Sequence, residues 1–217
     1  MKKLLALIFV TLAIPTIHSQ QFEIGPSFGY GFVNIVDSKS KEDRAVIGDA
    51  LWNTNFGVHA VYYFKNPIEQ TTARVGLLYR NGKRGSISET DPSNTFEFQS
   101  HTIGLFAGAA GNIGHDFLFY LDIGFGSNSL DTSNFYKGNL THTAAFGDLD
   151  APLEIKSHEV TFLYAIGIEK EIIQNRLKLF IEVHGDAGIS KLNKNDGSYR
   201  SQSLGFGMGL RYVFDRT

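Results

Sequence analysis

Charged residues recur at a fixed parity inside otherwise apolar segments of this chain, and any chemistry it performs would have to start from them. Arg74, Arg80, Lys178 and Arg211 supply positive charge; Glu23, Asp122, Glu169, Glu182 and Asp186 supply negative charge. All but Asp186, which lies between Gly185 and Ala187, have a bulky apolar neighbour, so in a strand the charges would share one face and the apolar side chains the other. His59 and His184 have the same parity as the charges. Charges held away from bulk water are tolerated when they are paired and hydrogen-bonded. The near balance of bases and acids therefore predicts an internal ion-pair network. Structural packing is one use of such a network, and a path for protons or ions is the other.

Other chemistry finds little support. The absence of cysteine removes thiol catalysis, thiolate metal sites and disulfides. No His-Glu-x-x-His zinc pattern is present. Asn193, Asn195, Asp196 and Gly197 superficially resemble a calcium loop, but Leu192 and Lys194 stand at ligand positions, so the segment reads as a turn. The glycine pairs Gly29 and Gly31, Gly124 and Gly126, and the trio Gly205, Gly207 and Gly209 lie within alternating segments and open no helix that would bind phosphate. A lipid-deacylating barrel would use a His-x-Ser pair, and none of His59, His101, His115, His142, His158 or His184 has serine two positions on. Ser157, His158 and Glu159 are contiguous, and neighbours in a strand point to opposite faces. No catalytic residue, cofactor or metal is expected. The 20 basic and 22 acidic residues leave no basic patch for nucleic acid.

The elements that must position the charges are strands. The 217 residues are 42% hydrophobic, 13% aromatic and only 19% charged, with 23 glycines, a composition that excludes disorder. Residues 1–19 read as a secretory signal: Lys2 and Lys3, an apolar run over 4–14, Pro15 and then Ser19. Mature protein would begin at Gln20 or Gln21, with its formal charge moved from −2 to −4 by loss of the two lysines. No cysteine follows the run to carry a lipid anchor. Eight segments of about ten residues then alternate with period two, the last being the most regular: Leu204, Phe206, Met208, Leu210, Tyr212 and Phe214 against Gly205, Gly207, Gly209 and Arg211. Two places strain the pattern. Phe96 and Phe98 oppose the parity of Ile103 and Leu105, which implies either a bulge near Ser100 or an upper strand standing above the apolar zone. Residues 169–182 would also suit a helix, although the alternation of Leu177, Leu179, Ile181 and Val183 favours a strand after a turn at Gln174 and Asn175.

The connections at 37–51, 81–94, 127–156 and 190–197 are long or intermediate, and those at 65–70, 111–116 and 171–175 are short. Long and short therefore alternate, which puts all long loops at one end of a barrel and all tight turns, with both termini, at the other. A soluble lipocalin-type barrel alternates too, with its bulky face inward. Here the opposite face is rich in glycine and charge, which suits a narrow filled interior better than a wet surface. The lipocalin Gly-x-Trp signature is also missing, since Gly25 is followed two positions later by Ser27. The fold class is thus all-β: an antiparallel up-and-down transmembrane β-barrel of eight strands, occupying residues 20–217.

The signal, the eight segments, the loop rhythm and the terminal strand at 205–214 together resemble a small eight-stranded outer-membrane β-barrel of the OmpA-like transmembrane-domain type, as in Bacteroidetes-type barrel proteins. The resemblance covers the whole mature chain and implies residence in the outer membrane of a Gram-negative-type bacterium, contact with its lipid, and insertion by the barrel-assembly machinery. In that family a terminal aromatic is read by the machinery; Phe214 matches in character and is followed by Asp215, Arg216 and Thr217. The chain stops at the eighth strand, so no peptidoglycan-binding domain is expected to follow. The reading is of a monomeric, non-enzymatic barrel, structural or surface-binding through its loops, with a narrow conduit for small solutes or apolar molecules as the alternative. The aromatics of 127–156, Phe135, Tyr136 and Phe146 among them, would either hold an extracellular ligand or pack the loop onto the rim. Deleting 132–150 should then leave the barrel folded.

Overall fold

Alternating side chains give each long segment two unlike faces, and such strands satisfy both faces by closing into a ring. The computed structural model describes residues 21–37, 49–87, 95–131, 136–137, 156–192 and 199–215. The signal segment 1–19 lies outside the described residues, as do most of 127–156 and the turn at 193–197. Eight long strands form the wall: β1 (Gln21–Asp37), β2 (Asp49–Tyr63), β3 (Thr72–Ile87), β4 (Thr95–Gly114), β5 (Phe117–Asp131), β7 (His158–Ile173), β8 (Leu177–Gly188) and β9 (Tyr199–Asp215). A two-residue β6 (Tyr136–Lys137) continues the line of β5, pairing with Phe96 and Thr95 of β4. Every pairing is antiparallel between neighbours, and β1 pairs with β9 to close the ring.

Short turns and the two ends of the described chain gather at one rim. His115 (φ 51°) and Asp116 (φ 61°) both adopt left-handed backbone between β4 and β5, the condition for a type I′ turn whose hand matches the strand twist. Asn175 (φ 55°) does the same between β7 and β8. The segment 169–182 is therefore strand, turn and strand, and not a helix.

Phe98 is not displaced by a bulge at Ser100. The β3–β4 ladder runs unbroken from Thr72↔Ala110 to Ile87↔Thr95, and Phe98 simply faces inward, 2% exposed. The strands, 12 to 20 residues long, outrun the ten residues that alternation marks, because above the apolar zone both faces are polar and the pattern fades.

The outward face is an apolar belt. Phe28, Phe56, Leu105, Phe125 and Phe206 each expose more than half of their surface. On β1 the belt runs from Phe22 to Phe32, roughly 33 Å along the strand at ~3.3 Å per residue, or ~25 Å in height at a ~40° tilt, the height of a lipid-facing band. Aromatic pairs edge it. Phe22 and Phe214 (5.7 Å) lie at the short-turn rim, and Tyr30 and Trp52 (5.3 Å, stacked) lie toward the other. Lys170 sits over the Phe117 ring at 4.5 Å, as a cation reaching past the apolar edge should. Among the described residues no helix is long and apolar enough to cross a membrane; the strands do the crossing.

Candidate functional site

The inward face accommodates large side chains because glycines lie beside them. A Cβ built on Gly167 would come within 2.5 Å of Tyr120, one on Gly209 within 2.6 Å of Phe180, and one on Gly76 within 2.2 Å of Phe106. All nine charges singled out from the sequence point inward and are buried. They do not form one network, however, but layers.

The lower layer, nearest the short turns, is centred on Glu169. Its carboxylate accepts from Tyr63 (2.8 Å), Lys178 (3.2 Å) and Arg211 (2.6 Å). Lys178 also donates to Glu23 (2.6 Å), while Arg74 donates to the Tyr63 hydroxyl (2.7 Å) and to Asp122 (2.7 Å). All three cations lie over rings: Arg74 over Tyr120 at 3.9 Å, Arg211 over Phe180 at 4.1 Å and Lys178 over Tyr63 at 5.2 Å. Glu23, Arg74, Glu169, Lys178 and Arg211 are each at most 1% exposed, so this layer closes the lumen.

Above it, Glu182 accepts from the Tyr120 hydroxyl (2.7 Å) and meets His184 Nδ1 at 3.1 Å, while His59 stacks on Phe180. An apolar group that includes Val61, Leu78, Phe106 and Leu163 fills the barrel beside them. The upper layer is built on Asp186. Arg84 grips it with two bonds (2.5 and 2.6 Å), Ser203 adds a third (2.8 Å), and Arg80 stands off at 3.8 Å. Glu159 completes that end, held by the Ser201 hydroxyl (2.5 Å), the Ser201 amide (2.9 Å) and Asn128 (3.3 Å).

Arg84 and Glu159 lie outside the nine charges that parity picks out, and both are as buried as those nine. Arg84 fell in a stretch read as loop, 81–94, where β3 in fact continues to Ile87. With them, the buried interior of the described residues holds five bases and six acids. The surplus carboxylate is offset by the hydroxyl and imidazole that converge on Glu182. Ser157 and His158 are exposed while Glu159 faces the lumen and binds Ser201, so the three do not assemble a triad. No group of three or more His, Asp or Glu able to hold a metal occurs among the described residues.

An apolar exterior around a charged, paired interior, with all backbone edges closed, is the arrangement of a transmembrane β-barrel. The sequence matches no protein-family model and no curated relative, but solved structures share its fold. Neisserial surface protein A superposes with a TM-score of 0.53 at 15% identity, covering 89% of this chain and 97% of that one. The outer membrane protein OprG from Pseudomonas aeruginosa gives 0.53 at 11% identity, covering 92% and 98%. The chain thus has the eight-stranded fold of Gram-negative outer-membrane barrels.

Proposed function

We propose that this chain is a non-conducting, non-enzymatic outer-membrane barrel, a rigid frame whose extracellular segments do its binding. The observation that carries this reading is the lower ionic layer, in which every charge is paired and almost no surface remains open to water. Eight strands enclose only enough space for side chains to fill. Neisserial surface protein A, which shares the fold, is by its name a surface protein. Single-channel recording in planar bilayers should give no reproducible conductance steps; stepwise openings of fixed size would instead favour the conduit.

The binding segment we assign is 127–156, the longest connection. Because β6 pairs with β4, a deletion that spares the wall must begin after Lys137, later than the alternation alone suggested. Removing 138–150 should leave the heat-shifted gel band of the folded barrel unchanged. Loss of that band would show the segment to be part of the frame. Phe214, 48% exposed beside Phe22 and Tyr212, is the proposed aromatic signal for the barrel-assembly machinery, with membrane lipid as the surrounding partner and a monomer as the working unit.

A further inference from the structure

The ladder between β2 and β3 is interrupted near the outer aromatic edge. Ala50 pairs with Ser86 and Phe56 with Asn81, so 51–55 and 82–85 lack partners in register. Asn53 Nδ2 reaches across the break to the Lys83 carbonyl (3.1 Å). Trp52, stacked on Tyr30, marks the height of the break as the boundary between hydrocarbon and headgroups. Behind the break lies a cavity of about 30 Å³, lined by Asn53, Asn55, Arg80, Arg84, Ser100 and Asp186 among others.

Two donors on this cavity have unused capacity. Arg80 is nine-tenths buried and among the described residues makes no hydrogen bond; its one ion pair among them is with Asp186 at 3.8 Å. The Asp186 oxygen nearest to it, Oδ2, already accepts from Arg84 and from Ser203, so it offers Arg80 charge but no free acceptor site. Ser100 is 2% exposed, and its Oγ has no partner among the described residues. A guanidinium carries five N–H donors and no acceptor, and leaving buried donors unfilled is costly. Two guanidiniums against one carboxylate give the lining a net positive charge. Its volume suits one or two water-sized species, too small for a phosphate or an organic acid.

We propose that Arg80, Ser100 and the amides of Asn53 and Asn55 form a binding site for a small monovalent anion, chloride in the native setting, entered through the break between β2 and β3. The proposal is independent of whether the loops bind anything. Bromide is the probe: crystals of the detergent-refolded protein are soaked in sodium bromide, and thermal unfolding is followed against bromide at constant ionic strength, with gluconate as the balancing anion. Anomalous density within hydrogen-bonding reach of Arg80 and Ser100 is expected, with an unfolding midpoint that rises with bromide. Ser100→Ala keeps every charge and should fold, and it should weaken the bromide dependence about tenfold, the loss of one hydrogen bond to an ion. Arg80→Gln should abolish it where that variant folds. A cavity without anomalous density, holding water only, would overturn the proposal. So would a bromide dependence unchanged in Ser100→Ala.

Discussion

Arg211→Ala should destabilise the folded barrel by roughly 3–5 kcal/mol, the penalty for removing one partner of a buried ion pair. Arg211 is fully buried; it donates to Glu169 at 2.6 Å and lies 3.9 Å from Glu23. Removing the guanidinium leaves three carboxylates in the lower layer, Glu23, Glu169 and Asp122, with only Lys178 and Arg74 to serve them. It also opens a cavity against Phe180 and Tyr120, over which the guanidinium lies. Arg74→Ala should behave alike, because Asp122 and Tyr63 then lose their donor. Lys83→Ala is the control. It also breaks a salt bridge, to Glu97 at 3.2 Å, but Lys83 is exposed, and such pairs contribute at most about 1 kcal/mol. The temperature at which the unboiled gel band converts to the unfolded position reads all three. An unchanged midpoint in both Arg211→Ala and Arg74→Ala would mean a hydrated interior and would undo the sealed-lumen reading.

Gly25→Ala should be nearly as damaging, by about 3 kcal/mol, although it adds only one methyl group. A Cβ at this position would lie 1.7 Å from the Leu210 carbonyl oxygen and 2.9 Å from the Arg211 Cα, both backbone atoms that cannot swing aside. The adjoining Pro26 has no N–H to donate, and the β1–β9 ladder skips from Ile24↔Tyr212 to Ser27↔Gly209 around it. The two strands approach closely where they are least hydrogen-bonded, and a side chain there would pry the ring open. Gly126→Ala is the comparison: its Cβ would meet Thr102 and Thr161 side-chain atoms at 3.2 Å and the Ile103 carbonyl oxygen at 3.3 Å, tight contacts that shifts of a few tenths of an ångström relieve. The expected difference is a large loss of the unboiled folded band for Gly25→Ala and little change for Gly126→Ala. Equal behaviour would mean that the seam is looser than its geometry implies.

What alternation could and could not reveal is clear from particular residues. Within the apolar zone, parity alone put Glu23, Arg74 and Arg211 on the inside, because a strand has only two faces and lipid claims one of them. Above the zone the argument loses its contrast: in β3, Asn81, Gly82, Lys83 and Arg84 are all small or polar, so nothing in the pattern shows that the strand continues. Arg84 was hidden there, as was the outer end of β3 at Ile87. Pairing was less legible still. Which acid meets which base depends on how far each strand is staggered around the ring, and Lys178 meets Glu23, or Arg84 meets Asp186, only once that stagger is known. The cavity beside Arg80 depends on the break at Ala50 and Phe56, which leaves no mark in the composition of either strand.

The pairing of β1 with β9 also sets the order of events in the life of the chain. β1 is synthesised long before β9, so half of its backbone groups wait for a partner until β9 has been made. A sheet of seven strands in lipid would present two rows of bare amides and carbonyls to hydrocarbon, which no membrane sheet tolerates. A partial wall is therefore unstable in lipid, and the barrel holds there only once β9 has closed on β1. Deleting β9 alone would forfeit the entire barrel and not an eighth of it.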